Sequence, residues 1–161
     1  MISAQSKATA VALLTLLFAW LPVTSYAGSS SWQASTKAGS TIVTTPSHGM
    51  VLTIQKPKDG VWGVLYLDLS EPQIAALKKH WVDKYYSYVK VSLEIDDYQH
   101  SVSGRVDETK KFLRMELDLA IWEAIKKGNR MRLQLPSGEE FEEPLRGSSK
   151  ALQTLERNLF R

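Results

Sequence analysis

The chain has 161 residues, of which 20 are Lys or Arg and 17 are Asp or Glu, so its formal net charge is only +3. This near balance, without a long basic run, argues against a nucleic-acid-binding protein that relies on bulk charge. The sequence contains no cysteine, which excludes disulfides, a lipoprotein anchor, a thiolate zinc site and a cysteine nucleophile.

The first 27 residues have the pattern of a cleavable export signal. Lys7 supplies a positive charge, residues 10–21 form an apolar run, and Ser25 and Ala27 are the small residues that a signal peptidase reads. The run is shorter than the ~20 apolar residues that span a bilayer. We therefore expect cleavage near Ala27 and a mature protein without a membrane span, located in the periplasm or secreted.

After this signal peptide, residues 28–40 are rich in Ser, Thr, Gly and Ala, which is typical of a flexible N-terminal arm or a loose hairpin. A single β-rich globular domain is expected over residues 41–161. Its first strands are predicted at 41–45, 50–55 and 61–69. The last of these is apolar on both sides, which predicts a central strand.

Three segments carry helix signals. Ser70 opens a capping box, and the helix that follows it is expected to end near residues 81–84. Asp118 caps a second helix, which stops at Gly128. A final helix is expected from about Ser148, with its apolar residues on one stripe. The inward-facing residues of the second helix are expected to be Leu119, Trp122 and Ile125.

Alternating apolar residues predict further strands among these helices, over 88–95, 98–106, 113–117, 131–135 and 139–145. Together the elements predict an α+β fold that is mainly antiparallel β-sheet and sandwich-like. It should hold six to eight strands and two or three short helices, with the C-terminal helix packed on the sheet.

The second half of the chain resembles a known family. The residues that carry the resemblance are Ala124–Gly128, Met131–Leu135, Pro144–Leu152 and Val91–Asp97, and they resemble the C-terminal part of the invasion-associated locus B family of small exported bacterial proteins. This chain departs from the family in lacking cysteines and in having Ser148, not an aromatic residue, after Gly147. The resemblance implies a β-rich, non-enzymatic protein linked to envelope interactions, with Gly147 in a structural role.

No catalytic or metal motif stands out in the sequence. His48, His80 and His100 are too widely spaced for a zinc site. Ser103-Gly104 and Ser137-Gly138 lack the pattern of a nucleophile elbow and are interpreted as turns. We therefore expect no metal, no cofactor and no catalytic residue.

The acidic segment 139–143 places four carboxylates around Phe141. Exposed, clustered acids lack the raised pKa that a glycosidase acid requires. The segment is instead expected to be a solvated edge strand, whose charges discourage aggregation.

Alternation also places basic and aromatic residues on one side of the predicted sheet. The candidate binding residues are Arg114, Arg130, Arg132, Lys90, Tyr86 and Tyr88. The three arginines would form one row if their strands pair, and such a face suits a carboxylated or phosphorylated partner. The alternative is an ordinary solvated face on which Glu94 and Glu116 balance the arginines.

These observations predict an exported, non-enzymatic binding protein of the bacterial envelope, for which the resemblance implies an association with invasion or virulence. Its partner would be an envelope or secreted protein of acidic character, or a glycan, and not a nucleic acid. One alternative is an inhibitor of a wall-degrading or secreted enzyme, which would present a protruding loop. The other is an envelope hydrolase, which would show a cleft with convergent acid, base or hydroxyl groups.

Overall fold

The computed structural model of the chain describes residues 31–37, 40–58, 60–83 and 85–159. The expected signal peptide, residues 1–27, lies outside the described residues. So does the beginning of the expected arm, residues 28–30.

The described residues form one curled antiparallel sheet with three helices. The elements are β1 Gln33–Lys37, β2 Ser40–Thr44, β3 Val51–Lys58, β4 Val61–Asp68, α1 Glu71–Leu77, β5 Tyr88–Ile95, β6 Tyr98–Asp107, β7 Phe112–Leu117, α2 Leu119–Lys127, β8 Arg130–Gln134, β9 Glu140–Pro144 and α3 Ser148–Leu159. The strand order is β1-β2-β3-β4-β7-β6-β5-β8-β9. The predicted fold class, with its C-terminal helix, is confirmed.

The sheet has more strands than the sequence predicted. The described part holds nine instead of six to eight, and they form a single sheet. The additional strand, β1, lies within the stretch expected to be an arm or a loose hairpin, and it pairs with β2 from Gln33 opposite Thr44 to Lys37 opposite Ser40.

One side of the sheet is apolar because buried residues recur at every second position. In β5, Val89, Val91, Leu93 and Ile95 are at most 2% exposed, and the residues between them point the other way. We call the apolar side the inner face and the opposite side the outer face. Strand β4 lies between β3 and β7, which confirms the prediction of a central strand.

Helices α2 and α3 pack on the inner face. Trp122 of α2 is fully buried, and a Cβ atom at Gly63 of β4 would lie only 2.4 Å from its ring. Trp122 Nε1 donates to Glu156 Oε1 of α3 over 2.8 Å, and Lys126 Nζ reaches the same oxygen at 3.0 Å. These bonds fix the two helices to each other while Trp122 fixes them to the sheet.

The prediction that Leu119 points inward is wrong, because it is 48% exposed. The buried residues of α2 are instead Ile121, Trp122 and Ile125. At about 100° per residue, the centre of this stripe lies more than a quarter of a turn away from Leu119.

A buried carboxylate joins two distant parts of the curled sheet. Glu143 of β9 is fully buried. Its Oε1 accepts from Thr45 Oγ1 and from His48 N, both at 2.6 Å, and its Oε2 accepts from Ser47 N at 2.9 Å. Nearby, Trp32 Nε1 donates to the carbonyl oxygen of Pro144 over 2.7 Å. We call these contacts the seam.

The seam corrects the interpretation of the acidic segment. β9 is an edge strand, as expected, but only part of it is solvated. Phe141 and Glu143 share the inner face, so Glu143 is enclosed, whereas Glu140 and Glu142 are exposed on the outer face.

The predicted signals hold at the starts of the helices and at the end of α2, but α1 ends at Leu77, before the expected end near 81–84. Gln73 Oε1 accepts from Ser70 N over 2.7 Å, as in a capping box, and a short 3₁₀ turn over 78–80 continues α1. Gly128 caps α2 in an extended conformation, where a Cβ atom would lie 2.9 Å from Ile95. Gly147 has φ +89°, which favours glycine before α3. No helix in the described ranges is long and apolar enough to cross a membrane.

We expect Glu143→Leu to lower the free energy of unfolding by about 2–4 kcal/mol, because Thr45, Ser47 and His48 lose their acceptor inside the protein. Glu143→Gln keeps one acceptor oxygen and should cost less. Urea unfolding measures both changes. The matched control is Glu142→Gln on the outer face, and equal destabilisation by Glu142→Gln and Glu143→Leu would contradict the role of the seam.

A second carboxylate organises the turn between β5 and β6. Asp96 has φ +52°, and its Oδ1 accepts from the backbone N–H groups of Asn129 and Arg130, each at 3.0 Å. These two bonds hold the pKa of Asp96 below its ordinary value of 3.8. The turn is thereby tied to the start of β8.

This shift makes stability depend on pH. A depressed folded-state pKa stabilises the protein above pH 3.8, and the contribution is lost as the pH falls through the folded-state pKa. We expect Asp96→Asn to lower the thermal midpoint at neutral pH and the difference from wild type to vanish in acid. Thermal unfolding from pH 7 to 2 tests this, with Asp97→Asn as control; a constant difference across that range would contradict it.

Candidate functional site

The candidate site lies on the outer face of the adjacent strands β7, β6 and β5. Leu113, Met115 and Leu117 of β7 face the core, so Arg114 and Glu116 point outward. The same alternation turns Ser101, Ser103 and Arg105 of β6, and Tyr88, Lys90 and Ser92 of β5, to the outer face.

Arg114 is held firmly among its neighbours. Its Nη1 donates to Glu116 Oε1 over 2.6 Å, and Tyr66 of β4 lies directly opposite it. Partial burial acts to lower the pKa of Arg114, but the bonds to Glu116 and Tyr66 outweigh it, so the pKa is raised. The guanidinium is therefore always charged and its position is fixed.

Sequence reasoning missed Arg105, which stands directly opposite Arg114 on β6. Two like charges opposite each other in a sheet repel. Arg105 is exposed, and within the described residues no carboxylate lies within ion-pair distance of it. Val102, Gly104 and Val106 recur at every second position of β6 and are buried, and this pattern in the sequence predicts that Arg105 points outward.

Tyr88 lies on the other side of Arg105, also directly opposite it. The Tyr88 ring is 6.5 Å from the ring of Tyr86, at an angle of 51°, and both side chains are partly or largely exposed. Lys90 Nζ donates to Ser103 Oγ over 3.1 Å. The structure thus brings four of the predicted residues, Arg114, Tyr86, Tyr88 and Lys90, around Arg105. We call these five residues the basic-aromatic site.

A depression of about 310 Å³ opens on this face. Arg105, Arg114, Tyr88 and the two serines Ser101 and Ser103 contribute to its lining. Two carboxylates also line it, but both have partners: Glu116 binds Arg114, and Asp118 Oδ1 accepts from Ile121 N over 2.8 Å at the start of α2. Among the described residues that line this depression, Arg105 is the cation without a carboxylate partner, so it is open to an external anion.

The predicted row of three arginines does not form. Strands β6 and β5 separate β7 from β8, so the strand of Arg114 lies about 14 Å from that of Arg130 and Arg132. Arg132 lies 3.8 Å from Glu94 and 3.6 Å from Glu142, and Arg130 lies 3.9 Å from Glu94. At this end of the sheet the alternative interpretation, a balanced solvated face, describes the contacts.

The other residues considered from the sequence lie elsewhere. His48 packs its ring against Phe141 at 5.4 Å in the turn before β3, His80 ends the 3₁₀ turn after α1, and His100 lies in β6. No three His, Cys, Asp or Glu residues of the described part gather as metal ligands. Ser103-Gly104 lies within β6 and not in a turn, so that prediction is wrong. Gly104 has no Cβ atom, which leaves room for the Leu113 side chain. Ser137-Gly138 is a turn, as predicted.

Comparison with known proteins shows a likeness at the level of the fold. No family model matches the sequence, and no curated protein matches it. The crystal structure of invasion associated protein B from Bartonella henselae superposes with a TM-score of 0.50, covering 81% of this chain and 94% of that one at 14% identity. The chain has the fold of invasion associated protein B. The likeness that the second half of the sequence predicted is therefore shown at the level of the fold.

The repulsion between Arg105 and Arg114 leads to a prediction about the free energy of unfolding. We expect Arg105→Gln to raise the free energy of unfolding by about 0.2–1 kcal/mol, because it removes the repulsion of Arg114. Lys90→Gln makes the same charge change opposite Ser103 and should leave the stability unchanged. Urea unfolding at low salt compares the two variants, and a destabilised Arg105→Gln protein would contradict the repulsion.

Proposed function

We propose that this is an exported, non-enzymatic binding protein of the bacterial envelope that engages an acidic partner through the basic-aromatic site. The single observation that carries the proposal is Arg105, an exposed guanidinium that faces Arg114 and has Tyr88 on its other side. Two arginines that face each other repel, which lowers the stability of the protein unless a bound anion lies between their side chains. A guanidinium pair beside exposed tyrosines is also the composition found at the centre of binding surfaces.

Two further observations support the proposal. The first 27 residues have the pattern of an export signal, which supports a location in the periplasm or outside the cell. The fold is that of a protein named for its association with invasion, so a role in contacts between the envelope and its surroundings is consistent with it.

One specific observation favours a second candidate, the inhibitor of a wall-degrading or secreted enzyme. The loop between the 3₁₀ turn and β5 carries Val82, Tyr85 and Tyr86, which are 64%, 91% and 62% exposed. A protruding aromatic loop beside the basic-aromatic site is a shape that enters an enzyme cleft. If the captured partner is a hydrolase, inhibition of its activity by this protein decides between simple binding and inhibition.

Site-specific photo-cross-linking in intact cells tests the proposed function. The chain is expressed with a photo-reactive phenylalanine in place of Tyr86, within the basic-aromatic site, or of Tyr98, which is 74% exposed at the far end of the β5–β6 hairpin. We expect one dominant partner from position 86 and none from position 98. The same partner should be lost when Arg105→Glu is added.

The control is Arg132→Glu, which reverses a charge at the balanced end of the sheet and should leave capture intact. Equal capture from both cross-linker positions, or capture that survives Arg105→Glu, would show that the basic-aromatic site is not the binding surface. Thermal unfolding of the purified variants confirms that both are folded.

A further inference from the structure

The chemistry of the outer face indicates what kind of acidic partner it takes. Next to the first depression lies a second one of about 390 Å³, and the two share Ser101. The second is lined by Lys90, Ser92 and Gln99 among others. The combined groove runs along β6 from Arg105 to Gln99, which is about 20 Å. It is long enough for several units of a polymer.

The groove is lined by groups that exchange hydrogen bonds with hydroxyls. Ser92, Ser101 and Ser103 offer hydroxyls, and Gln99 offers an amide, whose Nε2 donates to Ser92 Oγ over 2.9 Å. Each hydroxyl donates one hydrogen bond and accepts two, so it matches the hydroxyls of a sugar. At the end of the groove the exposed face of Tyr88 can pack against the C–H face of a sugar ring.

A peptide has fewer ways to bind here. The strands β7, β6 and β5 are interior, and each is paired on both sides, so a peptide cannot add to them as an extra strand. An amphipathic helix needs an apolar groove, whereas the side chains that line the second depression and point to the outer face, those of Lys90, Ser92, Gln99 and Ser101, are polar. Recognition must come from side chains on a flat face, and those side chains include hydroxyls, an amide, cations, a tyrosine, a histidine and two carboxylates that already have partners.

We infer that the groove binds a carboxylated polysaccharide, with Arg105 as the anchor of a uronic acid carboxylate. Arg105 and Arg114 face each other across neighbouring strands, so one carboxylate bound by Arg105 relieves their repulsion. Lys90 and the serines hold the following sugar units along β6. The inference rests on the proposed function and names the class of partner that the basic-aromatic site takes.

Calorimetric titration of the purified protein, obtained from cells that express the full-length chain, tests the inference. The probes are hexagalacturonate, its fully methyl-esterified neutral form, and hexaglutamate peptide of the same charge, each at 0.15 M salt. We expect hexagalacturonate to bind and the ester not to bind. Arg105→Gln should weaken binding roughly tenfold or more, since it removes a charge-assisted hydrogen bond.

Two further variants sharpen the result. Arg105→Lys keeps the charge but not the planar fork of donors, so it should bind between wild type and Arg105→Gln. Arg132→Gln changes net charge equally at the balanced end of the sheet and should bind as wild type does. Equal weakening by Arg105→Gln and Arg132→Gln would show diffuse charge attraction and overturn the inference.

The remaining outcomes separate this inference from the proposed function. Binding of hexaglutamate as tight as that of hexagalacturonate would overturn the glycan assignment in favour of an acidic peptide. Absence of binding to every probe would also overturn it. In either case, cross-linking from position 86 that depends on Arg105 would still uphold the proposed function, whereas loss of that capture as well would remove both.

Discussion

A long antiparallel sheet with one apolar face buries that face best by curling around its helices, and the curl brings segments together that no backbone ladder joins. In this protein a carboxylate makes the junction. Glu143 accepts hydrogen bonds from one side chain and two backbone N–H groups of the segment 45–48. Of those donors the Thr45 hydroxyl is buried, and a buried donor without a partner costs about 1–3 kcal/mol. Trp32 supplies a second bond across the same junction.

The curl also determines what the outer face can do. The inner face is covered by α2 and α3 around Trp122, so the exposed side chains of β7, β6 and β5 lie on the outer face. There the side chains are polar and fixed by rigid strands, and Arg114 is held by Tyr66 and Glu116. A sequence selected only for stability would not place Arg105 opposite Arg114. Rules of folding are commonly broken where binding is required.

The sequence predicted the local elements well and their arrangement less well. Period-2 alternation identified the strands and turned Arg114, Lys90 and Tyr88 to the same face, because side-chain direction is a local property. It could not show that β6 and β5 lie between β7 and β8, because strand order depends on long-range pairing. The row of Arg114, Arg130 and Arg132 was wrong for that reason. Alternation likewise turns Arg105 outward but does not show that it faces Arg114, and it could not show that Glu143 is buried, because a carboxylate on an edge strand is expected in solvent.

The seam links parts of the chain that are far apart in sequence, since Trp32 and Pro144 are separated by 112 positions and Thr45 and Glu143 by 98. Contacts of such long range form late and slow the folding of β-rich proteins. The first strands to leave the ribosome must wait for the last strand before their junction can close. The junction can therefore close only after β9 has been synthesised, so the two ends of the chain are joined in a late stage of folding.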